Sequence, residues 1–151
     1  MIETGYHHSL IENFVFDNIY HEHLSYFSVS AFQAFFRIHG LELFHVEKLA
    51  SKGGSIRVYA GLKAHQREIN SSVNEFITLE NNTALFDLTT YQNYGQRIHE
   101  LKEQVQQQLM ELKVQGTKII GFGASATVTT VISVLGLAEF FDYLIDDNPI
   151  K

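Results

Sequence analysis

The stretch that most limits how this chain can fold runs from Lys118 to Asp147. Lys118 to Phe122 reads as a short buried strand, and Gly121-Phe122-Gly123-Ala124-Ser125-Ala126 turns out of it. Val128, Val131, Ile132 and Leu135 then recur at helical spacing as far as Gly136. Phe141 to Ile145 is a second strand, ending in Asp146-Asp147-Asn148-Pro149. A strand, glycine turn, helix and strand in that order close most simply as a right-handed parallel crossover. A helix that starts beside glycines exposes amide N–H groups able to hold phosphate, and acidic residues after the next strand can receive sugar hydroxyls. The glycine fingerprint is incomplete, because Ala126 stands where a third glycine would fall. Two readings stay open on these residues: nucleotide or dinucleotide binding, and a plain structural crossover.

The rest of the chain supplies a different kind of structure. Ser30 can cap a helix from Ala31 to about Ile38, with Phe32, Phe35, Phe36 and Ile38 apolar and His39-Gly40 as its stop. Leu41 to Leu49 and Ser55 to Leu62 read as strands joined by the turn Ser51-Lys52-Gly53-Gly54, which predicts an antiparallel pair. The two glycines serve either turn geometry or close backbone approach to a ligand. Residues 5 to 16 alternate weakly and fit no single element. Lys63 to Thr83 is polar, with a weak helical signal through Ile69, Val73, Phe76 and Ile77. A long helix follows, in which Leu85, Leu88, Tyr91, Ile98, Leu101, Val105, Leu109 and Leu112 recur at three- and four-residue steps until Gly116. The spacing is not a sustained heptad and Gly95 interrupts it, which predicts a connecting helix packed on the second lobe and not a coiled coil.

These elements predict an α/β protein of two small lobes. A helix and antiparallel strand pair come first, followed by a long helix and a Rossmann-like parallel βαβ unit, in a three-layer αβα arrangement. The expected division is 1–65, 66–115 as a helical connection, and 116–151. At 151 residues and 45% hydrophobic content, the chain can bury a core of its own. Cysteine is absent, which excludes disulfides, thiolate metal sites and cysteine nucleophiles and fits a reducing cytoplasm. A net charge of -6 without a basic run argues against nucleic acid as a partner. The apolar windows are too short to predict a membrane span, and the N-terminus lacks the basic and apolar regions of a secretory signal.

Candidate chemistry concentrates at Tyr20-His21-Glu22-His23, preceded by Phe14, Val15, Phe16 and Ile19. A histidine that titrates near neutrality, a carboxylate and a phenol are the parts of a proton-transfer site. The same residues can also simply close a core edge. A metal site on His21, Glu22 and His23 is a rival that needs further ligands, such as His7 or His8. A nicotinamide dehydrogenase would rest on the degraded glycine turn alone.

The segments Phe16 to Ser28, His39-Gly40-Leu41-Glu42-Leu43-Phe44, and Gly53-Gly54-Ser55-Ile56-Arg57-Val58-Tyr59 resemble the sugar C-methyltransferases. So do Gly121 to Ala126 and Asp146 to Pro149, which resemble the start of that family's C-terminal domain. The blocks keep the family's order over nearly the whole chain. The resemblance implies transfer of a methyl group from S-adenosylmethionine to a carbon of a nucleotide-linked keto-deoxysugar. It places the general base at His23, with Glu22 and Tyr20 positioning substrate and assisting the enolate, and it places the nucleotide diphosphate on Gly121, Gly123, Ala124 and Ser125. Where the family continues its glycine turn with lysine, glycine, asparagine and threonine, this chain has Thr127-Val128-Thr129-Thr130.

By the same resemblance, residues 1–65 match the end of the methyltransferase lobe and 116–151 the first half of the last domain. The cysteine-rich zinc-binding region and the S-adenosylmethionine-binding lobe would lie before Met1. The cofactor is therefore expected in the parent enzyme and not on this chain alone, and no metal ligand is assigned within it. The alternative is a non-catalytic binding or assembly module, with a second copy as a possible partner.

Overall fold

Alternating apolar and polar side chains build the first sheet. In the computed structural model, which describes residues 1–148, Ile2–Gly5 (β1), Leu41–Leu49 (β2) and Ser55–Leu62 (β3) form an antiparallel sheet in the order β1-β3-β2. The predicted β2–β3 pair has the predicted bounds. Its partner β1 is an addition: Ile2 faces Val58 and Thr4 faces Ile56 across the β3 edge. A register shift between Leu43 and His45 makes Phe44 an extra residue in β2. That bulge lets both Leu43 and Val46 point into the core, each only 2% exposed.

His7–Glu12 (α1), Val29–Ile38 (α2) and Ser71–Asn82 (α3) accompany this sheet. Val29, Phe32 and Phe36 of α2 and Val73 of α3 close on Tyr6, Leu43, Val46, Ile56 and Val58 to form the core. The weak helical signal at Val73, Phe76 and Ile77 is therefore the buried stripe of α3. The cap of α2 is Ser28, not Ser30: the Ser28 hydroxyl accepts from the Ala31 amide at 3.1 Å. Ser30 instead turns its amide and its hydroxyl to the carboxylate of Glu80. The other face of the sheet is polar. Arg57 donates to Glu3 at 2.8 Å and to Glu47 at 3.4 Å, and the Tyr59 hydroxyl donates to Glu47 at 3.0 Å. The Tyr59 bond leads the causes that hold the Glu47 carboxyl below its ordinary range.

Leu88–Val114 (α4) runs unbroken through Gly95. Its apolar stripe is covered along the middle, where Ile98, Leu101, Val105 and Leu109 are half-buried and Tyr94 is buried, and is open at the ends, where Leu88 and Leu112 are exposed. After Gly116, Ile120–Phe122 (β4), Ala126–Leu135 (α5) and Tyr143–Ile145 (β5) follow. The predicted parallel pairing holds, with Ile120 opposite Tyr143, Gly121 opposite Leu144 and Phe122 opposite Ile145. Both strands are shorter than predicted. The Asp142 carboxylate takes the Ile119 amide at 2.8 Å and Lys113 Nζ at 3.0 Å, so β4 and β5 are tied together just outside their ladder. Those two bonds also hold the Asp142 carboxyl below its ordinary range, the Ile119 amide first. Ser125 caps α5, and Gly136 closes it in the left-handed conformation.

The chain divides into two compact units, one of Met1–Val15 with Ser25–Thr90, the other of Phe16–Leu24 with Tyr91 onward. The Tyr-His-Glu-His segment thus belongs to the unit that holds α5, although strands of the other unit flank it in sequence. Among the described residues, no helix is long and apolar enough to cross a membrane. Pro149, the end of the acidic block read from the sequence, lies outside the described residues.

Candidate functional site

The 3-10 turn Phe16–Asn18 buries Phe16 and packs against α5, which fixes where the next residues start. Tyr20 to His23 then closes a turn, with the His23 amide donating to the Tyr20 carbonyl at 2.9 Å. On an extended segment, successive side chains alternate and His21 and His23 would share a face. The turn instead brings Tyr20 and His23 together. Tyr20 OH and His23 Nε2 are 3.2 Å apart, and the rings lie 4.2 Å centroid to centroid. His23 Nδ1 meets the Asn18 carbonyl at 2.8 Å. A carbonyl only accepts, so this contact assigns the ring proton to Nδ1 and leaves Nε2 as the basic nitrogen facing the phenol.

Glu22 and His21 lie outside that pair. Their side chains are 67% and 84% exposed and approach each other only to 4.0 Å. His21 therefore has no packing role of the kind its neighbourhood in the sequence suggests. Among the described residues, no group of three histidine, aspartate or glutamate side chains gathers in a way that could hold a metal ion.

The glycine turn is built for close contact with its own strand partner and with Asp146. A side chain at Gly121 would run into Leu144, and Gly123 takes a φ of +100°, which glycine alone adopts without strain. The Gly123 amide donates to the Ile145 carbonyl at 2.7 Å, and the Ala124 amide to Asp146 Oδ2 at 2.6 Å. Ser125 spends its hydroxyl on the Val128 amide and on Thr127. The position where a helix start can receive an anion thus holds one already, the chain's own carboxylate.

Between the Ile19–His21 turn and α5 lies an open groove of about 330 Å³, lined on the helix side by Ala126, Thr129, Thr130, Ser133 and Val134. These positions share a face at three- and four-residue spacing. That spacing was the available signal in a run noted in the sequence only for its missing lysine. The Asn18 carbonyl gives no signal at all, because any residue carries one.

The profile of the C-methyltransferase C-terminal domain family matches residues 50–151. The C-methyltransferase NovU of Streptomyces niveus is 29% identical over 138 residues, covering 91% of this chain and 33% of that protein. This chain belongs to the C-methyltransferase C-terminal domain family. It spans about one third of the length of the curated relative it matches.

Proposed function

We propose that this chain is the substrate-deprotonating part, or a relative, of an S-adenosylmethionine-dependent C-methyltransferase that acts on a nucleotide-linked keto sugar. In this reading, residues 1–65 end a methyltransferase-like lobe, 66–115 connect, and 116–151 begin a Rossmann-like domain that reaches three αβα layers in the whole protein. The observation that carries the reading is the pairing of Tyr20 and His23, with the imidazole proton fixed on the Asn18 carbonyl. His23 Nε2 is the proposed base for the proton alpha to the keto group. Tyr20 OH swings from His23 to the ketone oxygen and stabilises the enolate charge that forms there. Glu22, at the exposed rim, is proposed to orient the substrate.

Gly121, Gly123, Ala124 and Ser125 are the proposed seat of the diphosphate, which must displace Asp146 from the Ala124 amide. The methyl donor does not fit the described residues. Their one strand–glycine turn–helix is the seat proposed for the diphosphate, which leaves no second such turn among the described residues for the donor's adenosyl group. A cytoplasmic setting belongs to the same reading.

The test is exchange of the substrate's alpha proton with deuterated solvent in the whole protein, because exchange isolates deprotonation from methyl transfer. His23→Ala should slow it by roughly 10² to 10⁴, with Tyr20→Phe also impaired. Exchange as fast in His23→Ala as in the parent removes His23 as the base. A second reading, a binding or assembly module, draws on the apolar exposure of β4 and β5, where Phe122 is 71% and Tyr143 52% exposed. Normal exchange in both site variants, together with self-association lost on Phe122→Ser, would favour it.

A further inference from the structure

Residues two apart on a strand share a face, and on β2 this sets His45 beside Glu47. His45 Nε2 lies 3.3 Å from Glu47 Oε1. The other oxygen, Oε2, accepts from the Tyr59 hydroxyl at 3.0 Å and from Arg57 at 3.4 Å, which holds Glu47 as a carboxylate. A carboxylate only accepts, so the imidazole proton is assigned to Nε2 and Nδ1 keeps its lone pair. Nδ1 faces the Ser72 hydroxyl at 3.2 Å. Ser72 Oγ in turn accepts from the Val46 amide at 3.1 Å, and its own proton is left to point at Nδ1. The hydrogen bonds therefore run one way, from Ser72 through His45 to Glu47. That is the order of hydroxyl, base and orienting acid that activates a serine. Holding α3 to the edge of β2 needs only the Val46–Ser72 bond and gives no reason for the histidine or the carboxylate.

The surroundings suit the same chemistry. Ser72 stands in the first turn of α3, where the positive end of the helix favours charge on oxygen. The oxygen of Asn70 is held by the Ser72 amide at 3.0 Å, which leaves the Asn70 NH2 as a donor on the same turn. The His45 and Glu47 side chains are 33% and 39% exposed and Ser72 is half-buried, so a solute can reach them. All four residues belong to the unit of Met1–Val15 and Ser25–Thr90, and the proton-transfer reading uses none of them. We propose that Ser72 and His45, positioned by Glu47, form a second catalytic site that transfers the acyl group of small esters to water. Ser72 Oγ attacks the ester carbonyl carbon as its proton passes to His45 Nδ1, and the Asn70 NH2 donates to the oxygen that becomes negative. The bond from the carbonyl carbon to the alcohol oxygen then breaks, and His45 gives the proton to that departing oxygen. Water next loses a proton to His45 and attacks the acyl carbon. The acid leaves, and Ser72 takes the proton back.

The test uses the 151-residue chain and two probes, an alkyl fluorophosphonate and p-nitrophenyl acetate. The fluorophosphonate should label Ser72, forming a bond from Oγ to phosphorus as fluoride leaves, and peptide mass mapping places the adduct. The acetate should be turned over, with steady release of nitrophenol. Ser72→Ala should abolish both signals. His45→Gln should slow both by roughly 10² or more, the worth of a general base. It leaves the Val46–Ser72 bond in place and is the clean variant if Ser72→Ala loosens α3. Glu47→Gln keeps an acceptor for Nε2 but loses the charge, so kcat should fall about tenfold with KM unchanged, a split that a loss of packing would not give.

Label on Ser72 that depends on His45, with turnover to match, supports the proposal. No label on Ser72 in the parent chain overturns it, as does label that His45→Gln leaves unchanged. Nitrophenol release as fast in Ser72→Ala as in the parent overturns it too, because exposed imidazoles would then be acting alone. A single burst of nitrophenol with no further release removes the water step and the catalytic claim with it.

Discussion

Two helices of this molecule begin beside a carboxylate borrowed from elsewhere in the chain, in opposite surroundings. At α2, Glu80 accepts from the Val29 amide at 2.6 Å, the Ser30 amide at 3.0 Å and the Tyr6 hydroxyl at 3.1 Å, and from the Ser30 hydroxyl as well. It is fully buried. At the glycine turn before α5, half-buried Asp146 accepts from the Ala124 amide at 2.6 Å and from the Asn148 amide at 2.8 Å. An anion at the positive end of a helix is favourable in both places. Only the first is locked in. A buried carboxylate with four donors cannot leave without stranding them, whereas donors near the surface can turn to water or to another anion. One carboxylate is thus a structural part of the core, and the other sits near the surface at the turn proposed above as the seat of the diphosphate.

The largest expected effect tests the locked side. Glu80→Ala should cost about 3–5 kcal/mol, the usual penalty for breaking a buried, hydrogen-bonded charge site. Denaturant unfolding measures the loss, and hydrogen exchange at Val29 and Ser30 localises it. A loss below about 1 kcal/mol would mean that water replaces the carboxylate, and α2 would then be no different from α5. Tyr6→Phe removes one of the four donors and should cost about 1.5–3 kcal/mol, the range for a hydrogen bond to a charged group.

Tyr6 also has a pH signature. Burial first, then the Glu80 charge, pushes its phenol above the ordinary 10.0. The neutral phenol is therefore favoured by folding. Its contribution is complete below pH 10 and is lost as pH rises beyond that value, because the unfolded chain ionises first. Tyr6→Phe should flatten this alkaline limb of the stability curve. A limb equally steep in Tyr6→Phe would show that other groups set it and that Tyr6 is not coupled to the Glu80 site.

The same contrast explains what could be read from the sequence. Strands β2 and β3 were legible to the residue because one face is buried and the side-chain period of two records it. The Phe44 bulge was not read from the sequence, although the step of three from Leu43 to Val46 marks it. The end of α5 was legible because Gly136 acts on its own neighbours. Strand β1 was not, since Ile2–Gly5 has only four residues and is a strand by virtue of β3 beside it. Glu80 was invisible for a related reason: its partners lie 50 to 74 positions away, and its own segment reads as polar. The site divides in the same way. The residues of the Tyr20–His23 pair stand out in the sequence, but their pairing depends on a turn and on the Asn18 carbonyl, and backbone groups leave no mark in a sequence. The stripe on α4 was legible as a helix, but how much of it is covered depends on neighbours far along the chain.

The smallest expected effect tests the exchangeable side. Asp146→Asn keeps the size of the side chain and one acceptor for the Ala124 amide but removes the charge that competes with an incoming anion. Stability should change by less than about 1 kcal/mol, as for other exposed helix-terminus charges. Affinity for pyrophosphate should rise roughly three- to tenfold at low salt, because a like charge has left the site while the amides remain. Asp147 stays in place, so the gain is that of one charge and should shrink as salt is added. Isothermal titration at two ionic strengths reads both features. A stability loss as large as that of Glu80→Ala would make Asp146 a second locked carboxylate. The glycine turn would then be a structural crossover and no seat for phosphate. Unchanged stability with no gain in affinity would be equally decisive against the turn, since its amides would then be free to bind and still not do so. A salt-sensitive gain with the fold intact is the one outcome that keeps the two carboxylates in different classes and leaves the diphosphate at Gly123 and Ala124.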